Sequence, residues 1–236
     1  PISGLPMLRA VTDEYYAHPV LQGEMKKWNA RYYMSSLLPL YEVVGKGTAP
    51  TSLAGFKGMR IRSLGQQGKA MEKLGAVPTS VPAPEVYTSL DRGLLDAAAF
   101  AYYAHKSYRT FELGTWFTSG LAVGSIACGS MINQDDWAAL PKQYQALLEE
   151  FVDSDAGYPA QIAALDAAEK TTPADFVKAG LKEWKVNKVE RAAFEEVGGK
   201  PVWEDWSKAM TEEGYNGQEL LDAIFAAIKK HESLAE

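Results

Sequence analysis

The stretch Lys57-Gly58-Met59-Arg60-Ile61-Arg62 alternates side chains with period two, placing Met59 and Ile61 on one face and Arg60 and Arg62 on the other, as a half-buried strand requires. Ser63, Leu64 and Gly65 break that pattern. From Gln66 to Leu74 the apolar residues Ala70, Met71 and Leu74 return at helical intervals, and Gly75 supplies a left-handed stop. A second strand is read over residues 76–81. Pro84 then opens a helix at a favourable first-turn position, Glu85 complements its dipole, Val86, Tyr87 and Leu90 form its buried stripe, and Gly93 closes it. Residues 94–100 supply a third strand. A β-α-β-α-β order demands right-handed parallel crossovers, and open sheets of this kind collect ligands beyond the carboxyl ends of their strands. Arg62 and Phe100 both fall at such ends. A cation there, beside the amino end of a following helix, is a place to hold an organic anion.

Upstream, residues 11–33 carry Tyr15, Tyr16, Val20, Leu21, Met25 and Trp28 at near-helical spacing interrupted by Gly23, which reads as a surface helix pair. Residues 37–44 form one extended apolar run, whose Pro39 suits an edge strand or a first strand position. Downstream, residues 121–128 read as a strand crossing between lobes, with Gly120 and Gly124 letting the backbone bend. Asp135 is placed to cap a short helix carrying Trp137, and Pro141 opens a longer one. In it Tyr144, Leu147, Leu148, Phe151 and Val152 follow the amphipathic rule. The pattern continues past a disturbance at Gly157 and Pro159 toward Pro173, long enough to brace two lobes. A last helix is expected from Gly217 to His231.

With 236 residues, 47% hydrophobic and 23% charged, the chain has room for one large domain or two lobes and the composition of an ordinary globular protein. No apolar run reaches the length of a membrane-spanning helix, and the amino terminus lacks the basic-then-apolar pattern of a secretory signal, so direct membrane insertion is not expected. The net charge of −6 argues against a nucleic-acid partner, which needs clustered cations. Cys128 stands alone and reads as a small core residue. His18, His105 and His231 are scattered singly, and there is no Gly-x-Ser-x-Gly elbow, phosphate loop or dinucleotide fingerprint. The chain is therefore read as no enzyme, with no cofactor and no metal. An α/β enzyme remains the alternative that the fold class itself allows.

Gly55-Phe56-Lys57-Gly58-Met59-Arg60-Ile61-Arg62, Leu74-Gly75-Ala76-Val77-Pro78, Pro84-Glu85-Val86-Tyr87-Thr88-Ser89-Leu90 and Gly93-Leu94-Leu95-Asp96-Ala97 follow one another in this chain. In that order they resemble the extracytoplasmic solute-binding subunits of TRAP transporters, the tripartite ATP-independent periplasmic type, within the dicarboxylate-binding-protein-like family. Met131-Ile132-Asn133 with Asp136-Trp137 and Leu140-Pro141 resembles that family's junction between strand and long helix, and Pro201-Val202-Trp203 a frequent tail motif. The resemblance implies an α/β, two-lobed periplasmic solute-binding protein, type II-like, with a long bracing helix. It also implies that a segment of roughly eighty to a hundred residues, with some pocket residues, precedes the point where this chain begins. The expected division is 1–55 as the remainder of lobe 1, 56–120 as the βαβαβ core of lobe 2, 121–140 as crossover strands and hinge, 141–179 as the bracing helix, and 180–236 as helices packing on the lobes. The implied activity is capture of a small organic acid by hinge closure and its delivery to TRAP membrane permease subunits.

At the position of Arg62 the family carries an arginine that grips the solute carboxylate, a role suited to a planar guanidinium that stays charged. Two positions depart from the family's pattern. Many members have Gln-Glu-Asn after the residue equivalent to Asp96, where this chain has Ala97-Ala98-Ala99-Phe100, and some sugar-acid binders have a second arginine where Glu42 stands. Together these imply a monocarboxylate with an apolar or aromatic body, for which Phe100, Tyr102, Tyr103 and Trp116 are candidate stacking residues. Each has a plainer reading, since clustered aromatics fill interiors and Glu42 suits a solvated strand. An amino-acid or peptide carrier of an ABC-type importer is the other transport reading, with Glu42 facing an ammonium group.

Overall fold

The structure, a computed structural model, describes residues 2–235. Its strands are β1 (Ala30–Leu38), β2 (Glu42–Gly45), β3 (Arg60–Arg62), β4 (Val77–Thr79), β5 (Ala97–Phe100), β6 (Trp116–Ser119), β7 (Ile126–Asn133) and β8 (Lys182–Lys185). The helices are α1 (Leu5–Ala17), α2 (Pro19–Lys27), α3 (Gly65–Lys73), α4 (Val86–Asp91), α5 (Tyr102–Ser107), α6 (Gln134–Ala139), α7 (Lys142–Asp153), α8 (Tyr158–Lys178), α9 (Lys188–Phe194), α10 (Lys200–Glu212) and α11 (Gly217–Lys230). They divide into two compact units, one of Pro1–Pro39, Ile126–Ala167 and Glu219–Glu236, the other of Leu40–Ser125 and Ala168–Gln218.

In the first unit, β1 and β7 pair antiparallel as a two-stranded ribbon with an irregularity between Tyr32 and Met34. Leu37, Leu5, Leu8 and Tyr158 form a core there, joined by Ile162 and Leu165 of α8. The helix pair expected upstream is present as α1 and α2, and α1 buries Leu5, Met7, Leu8 and Val11 rather than lying loosely on a surface. Cys128 is exposed on the ribbon, not buried as its apolar neighbours suggested, because a two-stranded ribbon has too little width to enclose every residue of a strand. The cap of α6 lies two residues before the expected Asp135: Asn133 accepts the N–H groups of Asp135 at 2.9 Å and Asp136 at 3.2 Å.

The second unit holds a six-stranded sheet in the order β4-β3-β5-β2-β6-β8. β3 runs parallel to both β4 and β5, which is the crossover pattern the alternation of 57–100 demands. β2 pairs antiparallel with β5 and β6, Glu42 opposite Phe100 and Gly45 opposite both Ala97 and Trp116. This pairing draws residues from Leu40 onward into the unit that was expected to start at 56. The apolar run 37–44 is accordingly split: β1 ends at Leu38, β2 starts at Glu42, and the two strands belong to different units. One core of this unit joins Val44 of β2 and Phe117 of β6 to Tyr102, Phe176 and Leu181, with Phe111 packed against them.

The expected bracing element is two helices. α7 ends at Asp153, residues 154–157 interrupt it, and α8 runs through Pro173 to Lys178. Residues of α8 are shared by the two units, which divide at Ala167. The crossing region before β7 is not strand but a turn with positive φ at Gly120 (81°), Ala122 (51°) and Gly124 (153°). Glycine accepts such angles freely, whereas Ala122 is strained there and must be held.

Candidate functional site

Arg62 ends β3 and is only 3% exposed. Its Nε donates to the Val81 carbonyl at 3.2 Å and its Nη1 to the Ala99 carbonyl at 3.0 Å, so two strand ends and the loop after β4 fix its orientation. The guanidinium carbon lies 4.0 Å from the centroid of the Phe100 ring. Tyr41 hydrogen-bonds the guanidinium through its side chain. Burial pulls the Arg62 pKa below its ordinary value, opposed by Tyr41 and Tyr108. Among the described residues the guanidinium forms no ion pair with a carboxylate. A guanidinium carries five donors, and the two carbonyls leave a set still able to meet an oxyanion.

Arg60, two residues earlier on the same strand, has the opposite environment. It is exposed and grips Asp96 through two bonds, Nε to Oδ2 at 2.9 Å and Nη2 to Oδ1 at 2.6 Å, while its N–H also donates to Oδ2 at 2.8 Å. Asp96 thus stitches β3 to the start of β5, and the pair neutralises itself.

Phe100 is buried at the end of β5, with Tyr108 stacked at 5.5 Å, Tyr41 tilted at 6.2 Å and His105 edge-on at 5.5 Å. The ring supports the guanidinium and offers no open wall. Tyr102 turns into the core against Phe117 and Phe176, its hydroxyl donating to the Thr118 carbonyl at 2.8 Å. Trp116 is fully buried at the other end of β2 from Glu42, its Nε1 donating to the Lys46 carbonyl at 3.1 Å. The register puts it three residues away from Phe100 along the sheet, about 10 Å. Both are core residues, and the structure does not bring either to Arg62. Tyr103 is half-buried in the first turn of α5, where its N–H donates to Glu169 at 2.9 Å.

Glu42 is not solvated. Its Oε1 accepts the N–H groups of Gly120 and Ala122, each at 3.0 Å, and its Oε2 accepts Thr118 Oγ1 at 2.6 Å and the N–H of Leu121 at 3.3 Å. Burial pushes this carboxyl up, and the four donors pull it back down. Three successive backbone N–H groups converging on one carboxylate make a nest that holds the strained Ala122 turn. No acceptor position is left for a ligand's ammonium group, which removes the feature on which the amino-acid carrier reading stood. Sequence reasoning overlooked Tyr41 and Tyr108, which act on the Arg62 guanidinium, and Ser63 and Gln67, which follow Arg62 in the chain. Tyr41 was hidden within an apolar run, and Tyr108 meets Arg62 only through the tertiary fold.

Residues 45–209, including Arg62 and both of its carbonyl partners, match the family described as bacterial extracellular solute-binding protein, family 7. The chain belongs to this family. Among curated proteins, the ectoine-binding periplasmic protein TeaA of Halomonas elongata is 28% identical over 217 residues, 85% of this chain and 59% of its own length. A monocarboxylate 2-oxoacid-binding periplasmic protein of Nostoc sp. is 28% identical over 105 residues, 42% of this chain and 28% of its own. The chain therefore spans less than two thirds of the length of either curated relative. A solved TRAP solute-binding protein of Rhodoferax ferrireducens, in complex with copurified benzoate, superposes with a TM-score of 0.86 at 20% identity, covering 100% of this chain and 73% of that one. The fold is that of the two-lobed TRAP binding proteins. No helix among the described residues is long and apolar enough to cross a membrane.

Proposed function

We propose that this chain acts as a periplasmic solute-binding protein of a TRAP transporter, capturing a small organic monocarboxylate through Arg62 and delivering it to the membrane permease subunits. The observation that carries this reading is the buried Arg62 guanidinium, held by two carbonyls and an aromatic ring but paired with no carboxylate among the described residues. Burying a cation without its counter-charge is costly, and an incoming carboxylate offsets that cost with two charge-assisted hydrogen bonds. The apolar run Ala97–Phe100 beside it supplies no second cation, which favours a singly charged acid with an apolar or aromatic body. The copurified benzoate of the Rhodoferax protein and the monocarboxylate binding named for the Nostoc protein support this class. Binding, rather than bond-breaking, is the chemistry such a site performs.

Calorimetric titration tests the reading. Benzoate and other monocarboxylates are expected to bind more tightly than malonate, and Arg62→Ala to weaken benzoate binding by a factor on the order of 10² to 10³ while circular dichroism stays unchanged. Equal affinity in the variant would remove Arg62 from the site.

A further inference from the structure

Ser63 and Gln67 are buried polar side chains that the fold leaves unpaired. Among the described residues, Ser63 Oγ and both amide atoms of Gln67, Oε1 and Nε2, are sealed from solvent without a hydrogen-bond partner. Ser63 is 3% exposed and Gln67 8%. Native folds rarely tolerate such groups, and three such atoms within five residues of sequence call for an explanation.

Their position supplies one. Ser63 follows Arg62 directly at the carboxyl end of β3, and Gln67 stands in the first turn of α3. The Gln67 amide lies against Gly124, where an added Cβ would meet its Cγ and Nε2 at 3.2 Å. The Gly124 carbonyl accepts the Tyr41 N–H at 2.7 Å, and the Tyr41 side chain hydrogen-bonds Arg62. A short relay of contacts, all inside one compact unit, thus joins the amide to the guanidinium.

We propose that Ser63 and Gln67 form a second polar subsite beside Arg62 that takes a hydroxyl group of the bound acid. The proposal rests on the carboxylate reading of Arg62 and adds a preference within it. The two side chains together present a hydroxyl that both donates and accepts, an amide with two N–H donors, and one carbonyl acceptor. A ligand hydroxyl uses both characters, accepting from Nε2 or Ser63 and donating to Oε1. A second carboxylate or an oxo group only accepts and leaves Oε1 unpaired. A methylene in the same place pairs nothing. Sites that hydrogen-bond a substrate hydroxyl discriminate strongly against the analogue lacking it, because the protein's own groups are then left unsatisfied.

Matched acids test this: phenylacetate against mandelate, and benzoate against 3-hydroxybenzoate, titrated into the wild type, Ser63→Ala and Gln67→Met. At least one hydroxylated acid is expected to bind about 10-fold or more tightly than its plain partner in the wild type, and each variant to bring that ratio toward one. The ligand-free melting temperature should hold or rise, since an unpaired buried group has been removed. A wild type that binds plain acids with no hydroxyl preference overturns the subsite, as does a preference that survives in both variants. A lowered ligand-free melting temperature in both variants also overturns it, by showing that the pair holds the fold through bound water. If the wild type binds none of the four acids, the Arg62 reading itself fails and the subsite falls with it, a result distinct from loss of the ratio alone.

Discussion

The Arg62 guanidinium lies over the Phe100 ring at 4.0 Å, and that ring in turn stacks with Tyr108 at 5.5 Å. Phe100 is therefore positioned to orient the cation, with its negative π face turned to the charge. This explains why an apolar residue can stand at the end of β5 without wasting the site: the ring replaces a hydrogen-bonding partner by an electrostatic one.

Removing the ring while keeping an apolar side chain should loosen Arg62 without unfolding the sheet. Phe100→Leu is expected to weaken benzoate binding by about 3- to 30-fold, the range that a desolvated cation–π contact supports. Calorimetry gives the affinity, and urea unfolding separates it from the modest stability loss expected of a core Phe→Leu change. Wild-type affinity in a folded variant would show that the two carbonyls alone suffice to aim the guanidinium.

The two arginines of β3 show how far sequence carries. Their alternation with Met59 and Ile61 announces the strand, and the glycines and Pro84 announce its crossovers, because these signals are local. Which arginine faces a carboxylate was not legible, since Asp96, 36 residues away and just before β5, reaches Arg60 and not Arg62. The same applies to Trp116 and Tyr102, whose aromatic character fits a core and a pocket equally. Gly45 decides the first: its lack of a side chain makes the room into which the Trp116 ring packs. Thr118 decides the second by accepting the Tyr102 hydroxyl with its carbonyl. β6 and β8 were missed because strands of four residues carry too short a pattern to register.

Glu42 anchors the turn at 120–122 and not a ligand. Each carboxylate oxygen receives two donors, so Glu42→Gln sets an amide nitrogen against at least one backbone N–H whichever way it turns. The expected loss is about 2 to 4 kcal/mol, the cost of leaving buried donors unsatisfied. The urea midpoint of the ligand-free protein should fall accordingly. An unchanged midpoint would mean that Ala122 keeps its left-handed conformation without the nest.

His105 should make stability pH-dependent in a definite direction. It is fully buried on α5, its Nε2 donating to the Glu42 carbonyl at 3.1 Å and its Nδ1 accepting from Thr110 Oγ1 at 2.6 Å. Burial pushes its pKa down to about 3, and the nearby Arg62 charge adds to the effect. The unfolded chain takes a proton on this residue near pH 6.5, whereas the native protein refuses it until about pH 3, so acid favours the unfolded state between those values. The native advantage is complete above pH 6.5 and is lost as pH falls. From pH 6.5 to 4.5 the loss amounts to about 3 kcal/mol at most. His105→Gln keeps a donor for the Glu42 carbonyl but cannot titrate, so its stability should be lower at pH 7.5 and fall less steeply toward pH 4.5. Parallel melting-temperature profiles for the two proteins across that range would show that the acid sensitivity originates elsewhere.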